Sequence, residues 1–160
     1  MMKKYYPLIL ILLLISESKA TIKDTIIENL KEIKNLEFNF EQNINGKIER
    51  GNCILKYPKK IYCEYDLRNQ KILISNGKSL VIKTLTSYYH YPLERTPLNH
   101  ILNKDFLLKK IRNLNERIID NKFINFSFFE NENEINLFFH KESYELIGWQ
   151  TLDIYQNLSI

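Results

Sequence analysis

Residues 51–77 restrict the fold of this chain more than any other stretch. They read Gly51-Asn52-Cys53-Ile54-Leu55-Lys56-Tyr57-Pro58-Lys59-Lys60-Ile61-Tyr62-Cys63-Glu64-Tyr65, then Asp66-Leu67-Arg68-Asn69-Gln70, then Lys71-Ile72-Leu73-Ile74-Ser75-Asn76-Gly77. Pro58 and the lysines after it interrupt an apolar alternation, which suits a hairpin connection. With Cys53 opposite Cys63, one face carries Cys53, Leu55, Tyr57, Ile61, Cys63 and Tyr65. The other carries Asn52, Ile54, Lys56, Lys60, Tyr62 and Glu64. An antiparallel pair with one buried side has this pattern, and a slip of one residue would mix the two faces. A third strand follows and ends in the Asn76-Gly77 turn.

What the paired cysteines mean depends on where the chain resides. Lys3 and Lys4 precede an unbroken apolar run, Leu8 to Ile15, and Ser18-Lys19-Ala20 places small residues at the −3 and −1 positions of a cleavage site. The run is well short of the ~20 residues of a membrane-spanning helix. Residues 1–20 are therefore expected to be a signal peptide cleaved after Ala20, leaving one domain over 21–160. No cysteine follows the apolar run, so a lipoprotein of the usual bacterial type is not expected. In an oxidising compartment, Cys53 and Cys63 are expected to form a disulfide, worth about 2–3 kcal/mol in the chain-entropy model. Two free thiols buried on the apolar face are the alternative.

The rest of the chain alternates between a few helices and many strands. Ile22, Ile26, Leu30 and Ile33 recur at helical spacing, with Ile27 widening the stripe, which predicts a helix over Ile22 to Leu36. Thr21 and Asp24 form a loose capping box at its start. Leu36 to Gln42 alternates strictly as a half-buried strand, and Asn45-Gly46 is a turn signal. Ser79 to Leu85 and Tyr88 to Tyr91 continue an antiparallel meander. Thr96-Pro97 then predicts a cap and first turn for a short helix bearing Leu98, Ile101 and Leu102. Asp105 is placed as the cap of a second short helix. Strands return at Glu116 to Ile119, Phe123 to Glu130, Glu134 to His140 and Leu146 to Tyr155. One helix and one insert cannot cover both faces of so large a sheet. The economical fold is α+β: a strongly curved antiparallel half-barrel with the helices over its concave face. Its interior is either a filled core or a ligand cavity.

Several function classes drop out. The net charge of +4 includes +2 from the first twenty residues, and no Lys/Arg block suggests nucleic acid. His90, His100 and His140 form no zinc-spaced pair, the four glycines are too dispersed for a phosphate loop, and no nucleophile elbow is present. No cofactor or metal site is expected, and no catalytic residue is assigned. Ten tyrosines, nine phenylalanines and one tryptophan, mostly on strands, are the unusual feature. Individually they suit a core; together they could line a cavity that accepts acyl chains.

At this point the residues resemble the periplasmic outer-membrane lipoprotein carrier family, LolA, from about Ile22 to Tyr155. Phe38-Asn39-Phe40-Glu41-Gln42 is similar to the family's F-x-Q strand, and Gly51 opens a strand reaching Lys56-Tyr57-Pro58, where the family has Lys-Arg-Pro. Ile72-Leu73-Ile74-Ser75-Asn76-Gly77-Lys78-Ser79-Leu80 resembles another family segment. Tyr91-Pro92-Leu93 and Thr96-Pro97-Leu98 resemble the stretch leading into the helical lid. The resemblance implies a periplasmic, monomeric carrier whose cavity holds the acyl chains of a lipoprotein. Cargo would come from an inner-membrane ABC-type lipoprotein-releasing complex and pass to an outer-membrane lipoprotein acceptor. The alternative is a lipid-sensing or regulatory module on the same half-barrel. The implied cavity residues are Ile26, Leu30 and Ile33 from the helix, Phe38 and Phe40 from the first strand, and Leu55, Tyr57, Ile61 and Tyr65 from the hairpin. Ile74, Leu98, Ile101 and Leu102 complete them. Tyr57 stands where the family has its lid-latching arginine and is the latch candidate, although a tyrosine offers one donor against a guanidinium's five, and Lys56 or Lys59 could substitute. The family continues beyond the equivalent of Ile160, so the form is either short or C-terminally truncated.

Overall fold

The computed structural model describes residues 20–44, 46–152 and 158–159. The expected signal peptide and residues 153–157 of the last expected strand lie outside them. Among the described residues, three α-helices, α1 (Ile22–Glu32), α2 (Leu98–Ile101) and α3 (Lys104–Arg112), accompany eleven strands. The first group is β1 (Asn35–Ile44), β2 (Lys47–Lys56), β3 (Lys60–Tyr65), β4 (Ile72–Asn76), β5 (Ser79–Lys83) and β6 (Tyr88–Pro92). The second is β7 (Arg117–Ile119), β8 (Phe123–Glu130), β9 (Asn133–His140), β10 (Leu146–Leu152) and β11 (Leu158–Ser159).

All described pairings are antiparallel, in the order β6-β5-β4-β3-β2-β1-β11-β10-β9-β8-β7. The chain thus makes two meanders, β1–β6 and β7–β10. Among the described residues, the sheet hydrogen bonding that joins them runs through β11, which pairs Ser159 with Ile44 on one side and with Thr151 on the other. The strands β6 and β7 are the outer edges, so the barrel stays open. Register follows the alternation: Cys53 faces Cys63, Leu55 faces Ile61, and the two cysteines are bridged with their Cα atoms 4.1 Å apart. Between them, Tyr57-Pro58-Lys59 forms the hairpin loop, with a cis Tyr57–Pro58 peptide.

The helix α1 starts on the Thr21 capping box: Asp24 N–H donates to Thr21 Oγ1 at 3.2 Å, and Thr21 N–H donates to Asp24 Oδ2 at 3.0 Å. It ends at Glu32, not Leu36, because Ile33 turns extended and Leu36 is already paired with Leu55 in the sheet. Two expected caps also differ. The Thr96 hydroxyl donates back to the Leu93 carbonyl at 2.9 Å, closing a 3-10 turn over Leu93–Arg95. Asn103, not Asp105, caps α3, accepting from Phe106 N–H at 3.2 Å. An amide two residues earlier starts the helix sooner and leaves Asp105 exposed in its first turn, where its charge suits the helix dipole.

The interior divides in two. Over β8 and β9 it is filled: Ile26, Ile27 and Leu30 of α1 and Leu107, Leu108 and Ile111 of α3 pack on Ile124, Phe126, Ile135, Leu137 and Phe139. Over β2, β3 and β5 only the 3-10 turn and α2 provide cover, through Leu93, Leu98 and Leu102. So short an element cannot fill that half. The uncovered part of the wall is the candidate site.

Candidate functional site

The cavity, about 680 Å³, lies between the β1–β5 wall, the start of α2 and β10. Its wall is built in rows across the strands. Phe38, Cys53, Cys63, Leu73 and Ile82 are in register and all line it; in the row before them, Leu36, Ile61 and Leu80 line it while Leu55 and Ser75, in register with them, are buried behind. The disulfide therefore forms part of the cavity surface, beside Phe38 and Leu73. Across the gap between the two meanders, Phe38 meets Trp149 of β10 edge to face, with ring centroids 6.1 Å apart. Thr96, Pro97 and Leu98 close the third side.

The next row is Phe40, Gly51 and Tyr65. Its middle position has to be glycine. A Cβ on Gly51 would run into the Glu64 carbonyl and lie 2.9 Å from the Phe40 ring. With no side chain between them, the Phe40 and Tyr65 rings meet over the glycine at 4.9 Å. Lys71 extends this row, since Tyr65 N–H donates to the Lys71 carbonyl at 3.0 Å.

Beyond that row the wall becomes polar. Gln42 faces Glu49, and Gln42 Nε2 donates to Glu49 Oε2 at 3.0 Å. Lys71 Nζ lies 2.5 Å from the same oxygen, and Lys47 Nζ lies 2.9 Å from the other. The Glu49 side chain is only 4% exposed. Burial alone would raise its carboxyl, but the bonds from Lys71, Lys47 and Gln42 outweigh this and hold it at about 2. Lys71 Nζ also sits 4.1 Å from the Tyr65 ring centroid. Burial pushes the Tyr65 hydroxyl up to about 12, so it stays protonated.

The helices are tied together by a lysine. Lys104 Nζ, at the start of α3, donates to the Lys31 carbonyl at 2.6 Å and to the Ile33 carbonyl at 2.8 Å. These are carbonyls at the C-terminal end of α1, which the helix itself leaves unpaired and where a cation is favoured. Tyr57 lies beneath, its ring centroid 5.8 Å from Lys104 Nζ. The Tyr57 hydroxyl is buried and has no hydrogen-bond partner among the described residues. Burial raises it to about 12. Within those residues, no group of three or more His, Cys, Asp or Glu side chains is placed to hold a metal, and no helix is long and apolar enough to cross a membrane.

A family described as outer membrane lipoprotein carrier protein LolA matches residues 31–160. The chain belongs to the LolA family. No curated protein matches it. Among solved structures, this LolA-family chain is similar to a LolA superfamily protein from Nitrosomonas europaea, with 9% identity, 87% of this chain and 75% of that chain covered, and a TM-score of 0.42.

Of the thirteen positions implied by the resemblance, Phe38, Phe40, Ile61, Tyr65 and Leu98 line the cavity of this LolA-family chain. The others lie off the wall, each for a packing reason. Ile26, Leu30 and Ile101 are fully buried in the filled half, and Ile33 packs against it. Leu55 and Leu102 are buried between the sheet and α2, with Tyr57 against them. Ile74 is in register with Tyr62 and Val81, on the opposite face of the sheet from Leu73. Gln42, Glu49 and Lys71 were not foreseen. The signal was present: each continues an inward alternation by one more step, past Phe40, Gly51 and Leu73 respectively.

Proposed function

We propose that this chain is a periplasmic carrier that takes up the acyl chains of lipoproteins in the cavity between β1–β5, α2 and β10. It ferries them from an inner-membrane ABC-type releasing complex to an outer-membrane acceptor. In this reading the signal peptide is removed after Ala20, and residues 21–160 work as one monomeric domain without a cofactor. The observation that carries the proposal is an open apolar cavity against the sheet, which the helical insert borders with Thr96, Pro97 and Leu98. An acyl chain left in water exposes surface at about 0.8 kcal/mol per CH₂, which a cavity removes. Release is possible because the cavity is open to one side and bounded by a short helix, not sealed within a core.

The test is to add purified mature protein to spheroplasts and follow lipoprotein in the supernatant. The carrier reading expects a soluble complex of lipoprotein and carrier. If the protein neither releases lipoprotein nor binds an acylated peptide, the reading fails. Binding of acylated peptide with no release would instead assign the half-barrel to lipid sensing.

A further inference from the structure

The cavity wall ends in a polar row that the carriage of hydrocarbon alone does not require. We propose that Lys71 and Tyr65 form a binding site for the carboxyl-derived oxygens at the head of an acyl chain, an ester or a carboxylate. The proposal rests on the carrier reading and adds to it a polar end that sets how deep and in which direction the ligand lies.

Both side chains keep unused donors. The Lys71 ammonium has three N–H groups, and among the described residues it makes one hydrogen bond, to Glu49. The Tyr65 hydroxyl accepts from Gln42 Nε2 at 3.4 Å, and its own proton has no acceptor there. Both side chains line the cavity, and the Lys71 side chain is 16% exposed, so an incoming group can reach it. Glu49 is tied up by two lysines and an amide, so it fixes Lys71 and does not compete for the ligand. With Lys47 included, the cluster carries two positive charges against one negative. Surplus donors and a positive balance select an oxygen acceptor. Breaking such a buried pair is costly, but replacing the whole of it by apolar residues of the same volume is often neutral or stabilising, so stability alone does not require it here. A ligand-facing role accounts for its place at this end of the wall. Neighbouring rows are two residues apart along each strand, about 7 Å. A chain lying over Phe38 and Leu73 therefore brings its carbonyl to Tyr65 and Lys71.

The experiment follows displacement of a neutral fluorescent probe, N-phenyl-1-naphthylamine, by palmitate and by methyl palmitate. Wild type is compared with Tyr65→Phe and Lys71→Met. Tyr65→Phe keeps the ring, Gly51 and the Lys71–Glu49 pair, so it remains informative even if Lys71→Met does not fold. Loss of one hydrogen bond is expected to weaken acyl ligands about five- to tenfold, with probe affinity unchanged. Displacement by palmitate alone supports a carboxylate as the bound head, and displacement by both supports an ester. If both variants bind acyl ligands as wild type does while the probe binds normally, the polar site is overturned and the carrier reading survives. If the probe fails to bind wild type, the carrier reading itself fails.

Discussion

Replacing Glu49 by glutamine isolates the charge at the polar end of the cavity while keeping its shape. In the native protein the carboxylate faces Lys71, Lys47 and Gln42, with the Tyr65 ring beside Lys71. Its carboxyl falls from an ordinary 4.5 to about 2. At about 1.4 kcal/mol for each tenfold change in proton affinity, the charged form stabilises the fold by about 3 kcal/mol at neutral pH. Glu49 and Lys71 are 4% and 16% exposed, so solvent screening takes little from their pairing, whereas Lys47, 69% exposed, contributes little of this figure. The folded value is depressed. The contribution is therefore complete above about pH 5, where the unfolded carboxyl is also ionised, and it drains away as pH falls towards 2. Urea unfolding of wild type and Glu49→Gln at pH 7 and pH 3 reads this directly. The variant should be about 3 kcal/mol less stable at pH 7 and only about 1 kcal/mol less stable at pH 3. A gap of equal size at both pH values, or no gap at pH 7, would refute the assignment of Lys71 and Lys47 as the groups that hold Glu49.

Three other perturbations test separate parts of the structure. Gly51→Ala drives a methyl group into the Glu64 carbonyl and the Phe40 ring, so it should cost about 2 kcal/mol or more and lower the urea midpoint. Tyr57→Phe removes a buried hydroxyl that has no partner among the described residues, so stability should hold or rise by about 1 kcal/mol; a marked loss would show that the hydroxyl is bonded in the folded protein. Lys104→Met leaves the α1 carbonyls without their cation. It should cost about 1.5–3 kcal/mol and speed amide hydrogen exchange at the end of α1, whereas unchanged exchange would remove Lys104 as the tie between the helices.

Much of the fold was legible because alternation is a local signal. Cys53 opposite Cys63 followed from one hairpin's faces, and Leu36, Phe38 and Phe40 marked the Leu36 to Gln42 part of a first strand that runs from Asn35 to Ile44. The capping box at Thr21 and Asp24 was equally local. What local pattern could not show was how the interior would be shared. Ile26, Leu30 and Ile101 have the same apolar character as Phe38 and Leu98, yet they fill a core over β8 and β9. The difference lies in which half of the sheet the helices cover, and that depends on packing between residues a hundred positions apart. Ile74 was misplaced for a simpler reason. A continuous apolar run, Ile72-Leu73-Ile74, does not reveal which parity points inward, and only the pairing of Leu73 with Cys63 decides it. The tie between the helices shows the same limit. Position 57 drew attention by family resemblance, but the donor that joins α1 to α3 is Lys104, forty-seven residues further on.

The central claim is that acyl chains of lipoproteins occupy the inner face of the β1–β5 wall. Photo-crosslinking from neighbouring positions on β4 tests it most directly, because Leu73 faces the cavity and Ile74 the opposite side. With a photoreactive phenylalanine placed at each in turn and the protein expressed in the periplasm, crosslinks to acylated lipoproteins are expected from position 73 and not from position 74. Equal crosslinking from both, or crosslinking from 74 alone, would contradict the account.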